Sequence, residues 1–254
     1  MGRFIAIVNQ KGGVGKTTTA VNLSAALAEA GQRVLLVDLD PQGNASSGLG
    51  IAKQSLQRSC YDVLLGHCSA AEALCATPLD LLQVIPANTS LVGAEVEMVD
   101  FEKREYCLKD ALEPLVDAFD YMLIDCPPSL GLLTLNALVA AHSVLIPVQC
   151  EFYALEGVSQ LLHTIQLVQR ELNRGLAIEG ALLTMFDTRL NLNNQVAAEI
   201  RKYFGDRVYQ TQVPRNVRLS EAPSHGLPVI LYDSRSRGAM CYRELATEVI
   251  ARGS

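Results

Sequence analysis

A chain of 254 residues that is 49% apolar carries enough hydrophobic mass for a large core, and nothing in its pattern divides it, so residues 1–254 are expected to form one domain. Met1-Gly2-Arg3 runs directly into an apolar stretch. The chain has no basic-then-apolar leader, no apolar run of membrane-spanning length, and Ala6 where a myristoylation signal needs Ser or Thr, which argues against secretion, a membrane span or a lipid anchor and leaves a cytoplasmic protein as the expectation. The net charge of −6 hides an asymmetry: there are 11 Lys and Arg against 21 Asp and Glu up to Thr188, but 10 against 6 from Arg189 onward, so the C-terminal quarter is basic and an acidic total does not exclude nucleic acid.

The apolar run Phe4-Ile5-Ala6-Ile7-Val8 reads as a strand. Asn9-Gln10-Lys11-Gly12-Gly13-Val14-Gly15-Lys16-Thr17-Thr18 follows, then a helical pattern over residues 19–30 that ends at Gly31. Strand, glycine-rich turn and helix together read as a phosphate-binding loop. Glycines let the main chain approach an anion, and the helix start offers unpaired N–H groups and the positive end of its dipole. Lys16 is expected on the β- and γ-phosphates and the Thr17 hydroxyl on Mg²⁺. The common motif has Gly where Gln10 stands, and Lys11 is an additional cation. Two lysines packed into one loop repel each other unless an anion lies between them.

Val34-Leu35-Leu36-Val37-Asp38 is apolar on both faces, as a buried parallel strand requires, and ends in Asp38-Leu39-Asp40-Pro41-Gln42-Gly43-Asn44. In an open parallel sheet the carboxyl ends of the strands share one edge, so these acids arrive beside the loop. Asp38 and Asp40 are candidates for the water shell of a metal and for orienting an attacking water; the plainer alternative is that both cap the next turn. Between residues 45 and 120 short helical patches (61–65, 70–76, 91–99, 106–116) surround a strand at 81–85. Glu95, Glu97, Asp100, Glu102, Lys103, Arg104 and Glu105 form a mixed charge cluster that reads as a solvated face or a face toward a partner.

Tyr121-Met122-Leu123-Ile124-Asp125 repeats the pattern of an apolar strand ending in an acid, and Pro127 and Pro128 fix the exit from the sheet. Further strands are expected at 143–148, 181–187, 208–213 and 228–232, with helices at 154–172, 193–204 and 239–251, the last burying Tyr242, Leu245, Ala246, Val249 and Ile250. Seven cysteines, odd in number and without a C-x-x-C pair, read as buried thiols. Cys126, at the acidic strand end, is the one candidate for a reactive thiol or cluster ligand.

The K-G-G-x-G-K-T loop resembles the deviant Walker A loop of the ParA/MinD ATPases, and the likeness to ParA proteins of the Soj type runs through nearly all 254 residues. It is most specific in the loop, in residues 37–44 and in residues 214–223. The resemblance implies a P-loop α/β fold, a doubly wound and mostly parallel sheet flanked by helices, with ATP or ADP and Mg²⁺ held by Lys11, Gly12, Gly13, Val14, Gly15, Lys16, Thr17 and Thr18. It implies that Lys11 reaches the phosphates of a partner subunit's nucleotide in an ATP-bound homodimer. Asp40 would promote hydrolysis, and Thr17, Asp38 and Asp125 would serve the metal. Pro214 and Asn216 would line the adenine, the asparagine amide supplying a donor and an acceptor. Arg189 and Arg218 match positions that touch the backbone of double-stranded DNA without reading bases; the competing reading pairs them with Asp187 and Glu221. Gln149, Glu151 and Glu156 match a further family stretch without a derivable role.

The activity so implied is a slow ATPase, stimulated by a ParB-like centromere-binding partner, that works on the nucleoid in chromosome or plasmid partition. Three alternatives use the same loop: a MinD-like positioning ATPase at a membrane, disfavoured by a last helix that stops in Ala-Arg-Gly-Ser; a metabolic phosphoryl-transfer enzyme like dethiobiotin synthetase; and an iron–sulfur ATPase resembling nitrogenase iron protein, which needs more than Cys126.

Overall fold

Eight strands join edge to edge in the computed structural model, which describes residues 2–151 and 154–253. They are β1 (Arg3–Ile7), β2 (Val34–Asp38), β3 (Cys75–Ala76), β4 (Leu82–Ile85), β5 (Tyr121–Asp125), β6 (Ser143–Gln149), β7 (Ala177–Thr184) and β8 (Val208–Val213). Their spatial order is β3-β4-β2-β5-β1-β6-β7-β8, parallel throughout except for the antiparallel edge pair of β3 with β4. The helices are α1 (Lys16–Glu29), α2 (Asn44–Gly48), α3 (Cys60–Leu64), α4 (Leu91–Glu97), α5 (Cys107–Leu112), α6 (Leu132–Ala140), α7 (Ala154–Glu171), α8 (Asn191–Phe204), α9 (Val217–Glu221), α10 (Val229–Tyr232) and α11 (Arg237–Gly253).

The sheet is doubly wound because its strands are apolar on both sides. Phe4, Ala6, Leu35 and Val37 enter one buried layer with residues of α3 to α8, while Ile5, Ile7, Val34 and Leu36 enter the other with residues of α1, α2, α9, α10 and α11. From β1 the chain crosses through α1 to β2 on one side; from β5 it crosses through α6 to β6 on the other. This reversal of winding puts a crevice at the carboxyl end of β1, where the glycine loop begins.

Four expectations change. Residues 228–232 form no strand: Pro228 precedes the short helix α10, whose first N–H, on Val229, donates to Asn22 Oδ1 at 2.7 Å, and Val229 and Ile230 are buried in the α1 layer. A four-residue apolar run has no period long enough to separate helix from strand, and here tertiary packing decides. The strand expected at 181–187 instead spans β7 and stops at Thr184, because Met185 adopts a left-handed φ of 48° and turns the chain out of the sheet. The patch at 70–76 divides into a short 3₁₀ turn (Ala70–Ala73), started by the reciprocal Ser69–Glu72 capping box, and the edge strand β3. Helix α1 begins at Lys16, three residues earlier than its apolar pattern, since Gly15 at φ 90° supplies the left-handed entry that a side chain resists.

Candidate functional site

Tertiary hydrogen bonds hold the loop in shape. Asn9, buried, donates from Nδ2 to the Pro147 carbonyl at 2.7 Å and accepts from the Lys11 N–H at 3.0 Å, while Thr184 Oγ1 donates to the Val14 carbonyl at 2.8 Å. Adding a Cβ to Gly12 or Gly13 meets nothing within 4 Å, so these positions face open space. That space is a cleft of about 600 Å³ lined by the loop and the start of α1, by Asp40 and Pro41, by Pro127 and Pro128, and by Met185. A smaller pocket of about 260 Å³ shares Gly15, Thr18 and Met185 with it and is lined further by Pro214, Asn216, Leu219 and Pro223. Two adjoining compartments that share loop residues, one beside the glycines and Lys16 and one beside Pro214 and Asn216, suit a polyphosphate joined to a flat base.

Lys16 is 6% exposed, and its Nζ donates to the Lys11 carbonyl at 3.0 Å. Burial holds its pKa below the usual lysine value, opposed by the nearby carboxylates of Asp125 and Asp40. Lys11 lies elsewhere. Its side chain, 37% exposed, reaches out to Glu151 at 2.5 Å, and Gln149 Nε2 donates to the other oxygen of Glu151. The repulsion expected between the two lysines is thus relieved by separation and by a carboxylate of the same chain. Sequence reasoning noted Gln149 and Glu151 without a role; the pairing depends on the β6 end meeting the loop.

The three acids differ in their partners. Asp38 accepts from Asp40 N–H at 3.2 Å on one oxygen and from Ser46 N–H and Oγ at 2.8 and 2.7 Å on the other, so its carboxylate is engaged. Asp40 accepts from the Gln42 N–H at 2.9 Å and also borders the cleft. Both acids therefore cap the turn after β2, and Asp40 does so from the wall of the cleft. Asp125 sits beside Asp38 in the strand register and is fully buried, yet neither oxygen has a hydrogen-bond partner of good geometry among the described residues. Burial first and Asp38 second raise its pKa well above the usual aspartate value, while the nearby Thr17 hydroxyl acts in the opposite direction. Asp38 is likewise pushed up to about 6, chiefly by burial. Two adjacent buried carboxylates, one without partners, fit a divalent cation held through its water shell, which needs one or two protein groups and not a cage. Among the described residues no group of three or more His, Cys, Asp or Glu is placed to ligate a metal directly. Cys126 is buried, its thiol pKa driven up by burial and by Asp125, so it stays protonated and packs as a small hydrophobe.

Asn216 spends its carbonyl on the fold: Oδ1 accepts from Arg218 and Leu219 N–H at 3.0 and 3.4 Å and caps α9. Only its amide donor remains for a ligand. Arg189 and Arg218 are not part of the cleft. Arg189 closes on Asp187 at 2.7 Å, and Arg218 pairs with Glu221 at 2.8 Å and with Asp233 at 3.2 Å, a partner the sequence did not suggest. Arg189 borders a separate open depression of about 640 Å³ with Arg215 and Arg237. No helix among the described residues is long and apolar enough to cross a membrane.

Known proteins share this arrangement. The family model described as AAA domain matches residues 2–178. The chain is 62% identical to the sporulation initiation inhibitor protein Soj of Bacillus subtilis, over 100% of both chains, and 59% identical to the chromosome partitioning protein ParA of Myxococcus xanthus, over 99% of this chain and 89% of that one. A crystal structure of cobyrinic acid a,c-diamide synthase from Mycobacterium smegmatis, with bound ADP and magnesium, superposes with a TM-score of 0.88 at 42% identity, covering 100% of this chain and 96% of the other.

Proposed function

Because the chain belongs to the ParA/Soj family of chromosome-partitioning ATPases, we propose that its 254 residues act as one ATP-driven switch that dimerises on ATP, grips DNA as a dimer and lets go after hydrolysis. The observation that carries this reading is the division of labour between the two loop lysines. Lys16 is enclosed in its own cleft, whereas Lys11 stands at the rim on an exposed salt bridge that a competing anion can displace.

In this reading the N–H groups of residues 12–18 and Lys16 hold the β- and γ-phosphates, and Pro214 and Asn216 flank the adenine. Thr17 and Asp125, together with Asp38 on the neighbouring strand, would hold Mg²⁺ through its water shell. The metal supplies neutralisation of charge on the phosphates. Asp40 orients the attacking water from the cleft wall. Lys11 leaves Glu151 and crosses to the phosphates of a second copy, so that the triphosphate joins two protomers. Arg189 and Arg218 of each protomer then present phosphate contacts together, and two modest footprints become one of useful strength at cellular salt. Loss of the γ-phosphate, hastened by a ParB-type partner, separates the protomers and frees the nucleoid DNA. ATP sets the lifetime of the bound state.

Light scattering and DNA co-sedimentation with ATP, with ADP and without nucleotide test the proposal. The expected result is a dimer that binds DNA with ATP alone, and a Lys11→Ala variant that still binds nucleotide but stays monomeric. A wild-type chain that remains monomeric in all three conditions, or a Lys11→Ala variant that dimerises normally, overturns it.

A further inference from the structure

Helix α4 is apolar on the wrong side. Leu91 and Ala94 of α4, and Met98 in the 3₁₀ turn that continues it (Met98–Asp100), are buried, as a core-facing segment requires, yet Val92 and Val96 of α4 and Val99 of the turn are 60, 72 and 53% exposed. Their i, i+4, i+7 spacing gathers them into one ridge on the outer face. Exposed Glu97, Asp100 and Glu102 flank the ridge, and none of the three joins an ion pair among the described residues. Of the nearby cations, Arg104 is occupied by Glu105 and the Val99 carbonyl.

The same helix meets both the phosphate cleft and the start of α6. Val92 borders it together with Pro127 and Pro128. Glu95, on α4, accepts the Leu133 N–H in the first turn of α6 at 3.3 Å, supplying the cap that α6 lacks from its own sequence, and a Cβ on Gly131 would lie 2.3 Å from its carboxylate. Gly131 ends the short segment that leaves Asp125 through the two prolines. Thr134, one turn into α6, donates to the Ser129 carbonyl at 2.6 Å and ties that segment down.

We propose that the outer face of α4 is the docking surface for a basic amphipathic segment of a partner protein, and that Glu95 conveys its arrival to the segment between Asp125 and α6. The occupant is fixed by charge and shape. An apolar stripe rimmed by carboxylates outside any ion pair, of which Glu97 accepts only the neutral Tyr61 hydroxyl at 3.0 Å, complements a helix with apolar residues on one side and Lys or Arg beside them, whereas a second copy meeting this face with its own would bring like charges together. This assigns a place and a route to the partner stimulation in the functional reading above and rests on that reading for its biological meaning, but not for its test.

The probe is a synthetic helix of about 20 residues built from Lys, Leu and Ala with one apolar face, long enough to be helical when bound, with a Glu-for-Lys counterpart as control. Anisotropy with the full-length protein is expected to show binding of the basic helix and not the acidic one, and a Val96→Lys/Asp100→Lys variant is expected to bind at least about tenfold more weakly. Equal binding by that variant, or equal affinity for the acidic helix, overturns the docking surface. Self-association of the wild type that Val96→Lys/Asp100→Lys abolishes would make a second copy the occupant and overturn the proposal as stated. For the relay, hydrogen exchange at the amides of residues 129–135 is expected to change on peptide binding in the wild type and in Glu95→Gln, which keeps an acceptor oxygen for Leu133. It should not change in Glu95→Ala, although that variant still binds. Identical exchange responses in all three overturn the relay. A wild type without ATP turnover would defeat the functional reading alone, since binding and exchange are measured without nucleotide.

Discussion

Lys16 is enclosed, donates to a main-chain carbonyl and lies in the field of Asp125 and Asp40, whereas the Arg189 side chain is 87% exposed and is closed by the aspartate two residues before it. The first region is built before any ligand arrives: its glycines leave space, its lysine is already desolvated and one of its acids lacks a partner. The second consists of cations on a solvated surface, each balanced by a local carboxylate. A preorganised site gains strongly from the right ligand and loses strongly when altered, while a screened surface site responds by small, salt-dependent steps.

The sharpest way to break this contrast is Lys16→Ala. Removing a desolvated cation from a phosphate site is expected to lower nucleotide affinity and turnover by about 10²- to 10³-fold, read by fluorescent-nucleotide titration and phosphate release. A loss of only a few fold would show the loop to be no more preorganised than the basic edge. Next is Asp125→Asn, expected to reduce turnover by about 10²-fold while raising metal-free stability by about 1–3 kcal/mol. The sign follows from linkage. A carboxyl whose folded-state pKa lies above its unfolded value costs nothing at low pH, and its penalty grows as pH rises past the ordinary aspartate range and through the raised value. The gain in thermal midpoint should therefore be present at pH 7, shrink toward pH 4 and diminish when Mg²⁺ is added to the wild type. A variant less stable than the wild type at pH 7 would mean that Asp125 is already paired.

How much of each region was legible follows from the same contrast. Strand, glycines, lysines and helix start are contiguous, and Asp38 and Asp125 sit at the ends of apolar runs, so local sequence reveals the loop and the edge of the sheet that bears it. What Lys11, Asp125 and Glu95 actually meet depends on register and on distant elements: Glu151 follows β6, Asp38 lies one strand over and Leu133 lies in the first turn of a helix for which the sequence offers no local signal. Pro228 to Tyr232 went to a helix because its short apolar run is satisfied by packing on α1. At the basic edge the pairing of Arg189 and Arg218 with Asp187 and Glu221 was foreseeable from neighbours in sequence; Asp233, brought in by folding, was not.

On that edge Arg218→Glu should leave ATP-dependent dimerisation intact while weakening DNA binding by about tenfold and lowering the salt slope by about one. An unchanged slope would remove Arg218 from the footprint.

The smallest effect tests whether the edge is masked by its own carboxylates. Asp187 takes the Arg189 guanidinium through two hydrogen bonds, of 2.9 and 2.7 Å, which hold its carboxyl at about 2. The pair is open to solvent, so it contributes almost nothing to folding, yet at neutral pH it cancels the one charge a DNA phosphate would use. Asp187→Asn keeps an acceptor oxygen for the Arg189 N–H and removes only the charge. DNA affinity of the ATP state is then expected to rise by about two- to threefold at low salt, with the gain fading as salt screens the contact, while nucleotide affinity and thermal midpoint stay unchanged. No gain at any ionic strength would mean that Arg189 does not touch DNA. A change in nucleotide affinity of similar size would mean that the basic edge and the phosphate cleft are not the independent regions their geometry describes.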